Sequence, residues 1–178
     1  MYKRNAGQLR HEPVNEEEKS KLKKNPIYII CDNILDTYNT GSIFRLADAV
    51  AATKVYLCGV TETPPNTRIK KASINTTEWV DWEYCTTTKE AIEKVRQEVL
   101  GVQVVVIEQD EKSVPFDKAM YQTPVAFVAC NESTGATPDV LEAADLIVEM
   151  PMFGVNVSLN VMVSLGIVLY MAVSKLEF

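Results

Sequence analysis

At 178 residues, with 47% hydrophobic and 24% charged content, the chain has an ordinary globular composition and the length of one domain able to bury its own core. A net charge of −6 excludes a uniformly basic nucleic-acid binder. The charge is divided, however: residues 1–71 carry 12 Lys+Arg against 8 Asp+Glu and residues 72–178 carry 6 against 16, so a local phosphate-binding face in the first half stays open.

Residues 1–24 are polar and lack the apolar run of a signal peptide. They read as an N-terminal extension, either a solvated tail with a short helix or an RNA-contacting arm built on Lys19, Lys21, Lys23 and Lys24. The folded domain is expected over residues 25–178. Pro26 to Cys31 is a short, continuous apolar run, the pattern of a buried strand. A turn through Asp32 to Tyr38 leads to Asn39-Thr40-Gly41, where a helix starts and runs to about Ala52. Ile43, Ala47 and Val50 face its core side, and Arg45 points elsewhere. Lys54 to Cys58 is the next strand, and the loop Gly59 to Thr67 follows, with its Pro64-Pro65 pair. Arg68, Lys70 and Lys71 form a basic patch. A short strand lies within Trp79 to Cys85, and Thr87 and Glu90 form the capping box of a helix that stops at Gly101. Val102 to Ile107 and Pro124 to Cys130 are strands, with a short helix around Phe116 to Met120 between them. Thr137-Pro138 opens another short helix.

Leu146 to Met150 is the last strand. A loop with Gly154 follows, and an apolar helix opens at Ser158 to Asn160. Its first turn supplies unpaired N–H groups and a local positive field, which suit a ligand. The helix is apolar nearly all round, so burial in a core or a subunit interface is expected. The apolar stretch Val157 to Val173 is too short and too interrupted for a membrane span. Cys31, Cys58, Cys85 and Cys130 occur singly in strand-like runs, as buried reduced thiols of a cytoplasmic protein do; no metal site is expected. The single histidine, His11, lies in the extension and argues against histidine chemistry.

Strand and helix patterns alternate, and the strands are apolar runs. The fold class is therefore α/β, a mainly parallel sheet with helices on both faces. Three polar clusters fall at carboxyl ends of strands, where ligands bind in open α/β sheets. They are Asn39 with Arg45, Asn131 to Gly135, and Met150 to Asn160. Neither dinucleotide-binding nor P-loop glycine signatures are present.

DNILDTYNTGSIFRLADA, VAFVACNESTG and VEMPMFGVNVSLNVMVSLGIVLY resemble, in order and spacing, the three motifs of the SpoU (TrmH-type) family of SPOUT RNA 2′-O-ribose methyltransferases. The resemblance covers about Pro26 to Val173. It implies a C-terminal deep trefoil knot, a homodimer, S-adenosylmethionine (SAM) as cofactor and tRNA or rRNA as substrate. It implies that Arg45 is the catalytic arginine, that Asn39 helps place it, and that Glu132, Ser158 and Asn160 complete the catalytic set. SAM-contacting backbone is implied around Ile107, Cys130, Met150 and Ser158. The chain departs from the family where Cys130 and Ser133 replace motif-two glycines, which predicts side chains intruding on the cofactor cradle. Asn75 and Met162 stand where glycine and serine are common. The activity expected is SAM-dependent 2′-O-methylation of a ribose. The alternatives are a non-catalytic RNA-binding member of the same fold and an unrelated small-molecule methyltransferase.

Overall fold

The computed structural model describes residues 3–176; residues 1–2 of the extension and 177–178 of the expected domain lie outside the described residues. The described strands are β1 (Asn25–Asp32), β2 (Ala52–Cys58), β3 (Asp81–Cys85), β4 (Gln103–Ile107), β5 (Val114–Pro115), β6 (Val125–Ala129) and β7 (Leu146–Glu149). They form one sheet in the order β3-β2-β1-β6-β4-β7-β5, and every pairing is parallel. The helices are α1 (Ala6–His11), α2 (Glu16–Ser20), α3 (Thr37–Ala49), α4 (Thr67–Ser73), α5 (Thr88–Glu98), α6 (Pro138–Glu142) and α7 (Val161–Lys175). This is the α/β architecture expected.

The strands read as unbroken apolar runs because both faces of the sheet are covered. Side chains alternate between two cores. Ile27, Ile29, Val105 and Phe127 pack on one face with Phe44 of α3, Ile69 of α4 and Leu165 and Leu169 of α7. Ile30, Val104, Val106 and Val128 pack on the other with Ile92 and Val95 of α5 and Val140 of α6. Each such residue contributes roughly 1.5–3 kcal/mol of transfer free energy. The four cysteines are buried free thiols, and burial raises the pKa of each above its ordinary value.

Register positions the site. Cys31 pairs with Ala129, Ala129 with Ile107, and Ile107 with Val148, so four central strands end at one level. The loops that leave them share a single rim.

Several boundaries differ from expectation. Asp36 caps α3 through the N–H of Tyr38, so the helix begins two residues before Asn39. The basic patch Arg68 to Lys71 lies on α4, capped by the Asn66 side chain, a signal the sequence carried. Where a helix was expected around 116–120, residues 116–118 form a turn after the two-residue strand β5. The extension forms two short helices, and Lys19 and Lys24 reach Asp81 and the Trp79 carbonyl, so the tail is docked. Helix α7 buries one face only: Ser164, Leu165, Val168, Leu169 and Ala172 are buried, and Val163, Ile167 and Tyr170 are exposed.

Candidate active site

The turn after β1 is anchored by the loop after β6. The Glu132 carboxylate accepts the N–H of Leu35 at 2.9 Å on one oxygen. Its other oxygen accepts the N–H of Asp36 at 3.2 Å and the Asn39 amide at 2.9 Å. Asn131 fastens the same junction: its amide donates to the Asn33 carbonyl at 2.7 Å, and its oxygen accepts from the N–H groups of Ser133 and Thr134. Burial alone would raise the Glu132 pKa. The donors from Leu35, Asn39 and Asp36 outweigh burial and hold it below the ordinary carboxylate value. Glu132 is therefore a charged anchor rather than a proton acceptor poised near neutrality.

Asn39 is 6% exposed and has both ends of its amide engaged. Its nitrogen donates to Glu132, and its oxygen accepts from the Asn160 amide at 3.0 Å. The Asn160 oxygen in turn accepts the N–H groups of Met162 and Val163, at 2.9 and 3.4 Å. Asn160 is thus the N-cap of α7, and the helix starts at Val161 rather than at Ser158. Glu132, Asn39 and Asn160 belong to three distant stretches of chain, and one hydrogen-bonded row joins them.

Beside this row lies a cavity of about 490 Å³, within the roughly 300–1,000 Å³ of small-molecule sites. Ile107, Cys130, Met150 and Ser158, the four positions expected to hold a cofactor, all line it, as do Glu132 and Asn160. Its wall mixes apolar side chains (Val148, Leu159, Val161) with carboxylates (Glu108, Glu149), a composition that fits a molecule with an adenine ring and a cationic sulfonium. Both motif-two replacements, Cys130 and Ser133, line it. Cys130 is buried in the core beneath α5 and α6, and Ser133 is exposed. Gly135 remains where it is needed. Its φ is +65°, and a Cβ there would lie 2.5 Å from a Glu108 carboxylate oxygen. That oxygen accepts the N–H of Ala136 at 3.0 Å.

The structure does not bring Arg45 into the cavity. It is exposed on α3, and among the described residues no hydrogen bond or ion pair reaches its guanidinium. Asn39 does not brace it either. Six residues at about 100° each leave the two side chains about 120° apart around the helix axis. Asp48, three residues on, forms no ion pair with it among the described contacts and lies in the field of Lys24 instead. Sequence reasoning missed Glu108 and Gln109, and it placed Asn131 in a polar cluster without its anchoring role. An acidic and an amide residue directly after the strand VVVI, and an Asn at a strand end, were the signals available.

A model of the SpoU rRNA Methylase family matches residues 26–170. The chain belongs to that family. Among its relatives, the tRNA (guanosine(18)-2′-O)-methyltransferase of Aquifex aeolicus is 30% identical over 87% of this chain and 72% of its own length. The 23S rRNA (guanosine-2′-O-)-methyltransferase RlmB of Ralstonia nicotianae is also 30% identical, over 84% of this chain but 59% of its own length. The fold is that of solved family members. The AdoMet-bound rRNA methyltransferase of Sinorhizobium meliloti superposes with a TM-score of 0.77 at 27% identity, covering 88% of this chain and 59% of that one. The A. aeolicus TrmH/SpoU tRNA modifying enzyme gives 0.77 at 26%, covering 96% and 81%. As a SpoU-family member, this chain carries the family's three motifs on one rim of the sheet.

Proposed function

We propose that this SpoU-family chain transfers the methyl group of SAM to a ribose 2′-hydroxyl of tRNA or rRNA. The observation that carries this reading is the row Glu132–Asn39–Asn160 at the lip of a cavity lined by the three expected strand-end positions. Relatives named as guanosine-2′-O-methyltransferases support the reaction class. Ile107, Cys130, Met150 and Ser158 would hold SAM, which supplies the electrophilic methyl. The chain's own residues do the rest. The row holds the β1 turn, the 131–135 loop and the α7 N-terminus in one arrangement, which fixes the cavity mouth before substrate arrives. Ser158 lines that cavity, where its hydroxyl would be available to the substrate. Arg45, exposed and unpaired among the described residues, is suited to grip the phosphate next to the target ribose through a two-pronged guanidinium contact. Its permanent charge suits that role better than proton abstraction.

The outward face of α7, with Tyr170 53% exposed, and the loop residue Phe153, 94% exposed, form an apolar surface that a second copy of the chain would cover. We assign the homodimer on that ground. The knot is assigned from family membership alone, and two ties join the 108–121 segment to the last loop and to α7. Gln109 donates to the Val157 carbonyl, and the Lys175 ammonium donates to the Asp117 carbonyl. Among the described residues no helix is long and apolar enough to cross a membrane. Cytoplasmic tRNA or rRNA is the substrate pool we assign. The test is calorimetric titration with SAM, followed by mapping of ribose methylation in RNA from cells lacking the gene. SAM binding together with loss of one 2′-O-methyl mark is expected. RNA binding without SAM binding would instead identify a non-catalytic member.

A further inference from the structure

The N-terminal extension is fastened to the body at several points. The Arg4 guanidinium lies 4.8 Å over the Trp79 ring and pairs with Glu18 at 2.9 Å and Glu12 at 3.5 Å. Asn75 adopts a left-handed conformation, φ 63°, and its N–H donates to the Lys70 carbonyl at 3.3 Å. Its side-chain amide donates to the carbonyls of Leu9 and Arg10, at 2.8 and 3.2 Å. One residue therefore ties the C-terminal end of α1 to the C-terminal end of α4. The lysines that sequence reading offered as an RNA arm serve in part to hold the extension down: Lys19 pairs with Asp81 and Lys24 donates to the Trp79 carbonyl, while Lys21 pairs with Glu17 within the extension.

What the docking presents outward is a group of cations. Arg10 of α1 and Arg68, Lys70 and Lys71 of α4 are exposed, and among the described residues none of their side chains has a hydrogen bond or ion pair. Residues 5–11 and 66–76 contain no acid. Glu12 is taken up by Arg4, and the exposed Glu78 pairs with none of the four. In a chain of net charge −6, gathering like charges without counter-charges is unfavourable by itself and becomes favourable under a polyanion. The group also leads to the site. Helix α4 is pressed onto α3 at Gly41, and Arg45, four residues further along α3, shares that side of the helix. Exposed cations thus run from Arg45 across α4 to the end of α1.

We propose that α4 and the docked end of α1 grip the phosphate backbone of the RNA substrate away from the methylated nucleotide, with Asn75 as the positioning residue that adds the extension to this face. The inference rests on the RNA methyltransferase reading. It is tested on the full chain by measuring affinity for unfractionated tRNA, and separately rRNA, against salt concentration. The variant R10Q/K70Q/K71Q should lower the slope of log affinity on log salt by about 2–3, and affinity about a hundredfold at 0.1 M salt, for three lost phosphate contacts. SAM affinity and melting temperature should stay at wild-type values. Asn75→Gly keeps the left-handed backbone and removes the amide; it should weaken RNA binding as much as Arg10→Gln. The two together should do no more than either alone, because both remove the same contact. Wild-type salt slopes in the triple variant, with wild-type protein binding RNA, would overturn this inference alone. Wild-type protein that binds SAM but neither RNA would overturn it together with the RNA reading.

Discussion

Asn39 shows how little freedom the site leaves its residues. Its amide is the middle link between a carboxylate and a second amide, and each atom has one assigned role. Glu132 accepts from two backbone N–H groups and from Asn39, and its pKa is lowered accordingly. A carboxyl with a lowered folded-state pKa contributes stability that is fully present above its ordinary value of 4.5. That contribution is lost as the pH falls through the lowered folded value. Glu132→Gln should therefore reduce the melting temperature above pH 5, and the difference from wild type should shrink on acidification below about 4.5. A difference constant from pH 7 to pH 3 would show that the charge of Glu132 is not what anchors the turn. Arg45 is the other informative residue. If it places the ribose through the neighbouring phosphate, Arg45→Ala should leave SAM affinity unchanged and reduce methyl transfer about 10²-fold or more. Arg45→Lys should recover little of this, because an ammonium cannot make the two-pronged contact. Wild-type turnover in both variants would remove Arg45 from the mechanism.

Helices α3 and α4 depend on one absent side chain. A Cβ at Gly41 would lie 2.6 Å from the Ala72 Cβ and 2.7 Å from the Ile69 carbonyl oxygen, so backbone would have to move. Gly41→Val should cost about 1–3 kcal/mol in chemical denaturation, the usual scale of overpacking, and should tilt α4 away from α3. A stability equal to wild type would mean that the two helices adjust at no cost. Helix α7 is held differently. Its first-turn N–H groups depend on Asn160, whose amide also reaches Asn39. Cap and site are the same residue, so helix packing and cavity shape are coupled.

At the level of the molecule, the open question of assembly has a direct measurement. Val163, Ile167 and Tyr170 leave an apolar stripe along α7, and Phe153, Val155 and Val157 project from the loop before it. Burial of such surface predicts a dimer mass in light scattering at micromolar concentration. Substituting Ile167 and Tyr170 with Asp should yield monomers, because two charges would then enter a desolvated contact. A monomeric wild-type protein would remove the assignment.

Much of this was legible in the residues themselves. Apolar strand runs spaced by amphipathic helices announced a two-faced parallel sheet, since a strand covered on both sides has no polar face to show. Strand ends marked three polar clusters as the place for a ligand, and the resemblance to the SpoU motifs singled out Asn39, Glu132 and Asn160 and the cavity positions Ile107, Cys130, Met150 and Ser158 within and beside them. Other features belong to three-dimensional space. That Asn39 bonds Glu132 and Asn160 rather than Arg45 depends on which loops meet at the rim. Those partners lie 93 and 121 residues away, and periodicity within a helix carries no information about them. The extension's docking turns on Trp79 and Asn75, which lie more than 60 residues along the chain from the Arg4 and Leu9 they meet. The one-sided burial of α7 was likewise hidden, because an all-apolar helix has no polar stripe to mark which face the core takes. Local chemistry set the elements and their caps, and the packing of distant segments decided which side chains share a hydrogen bond.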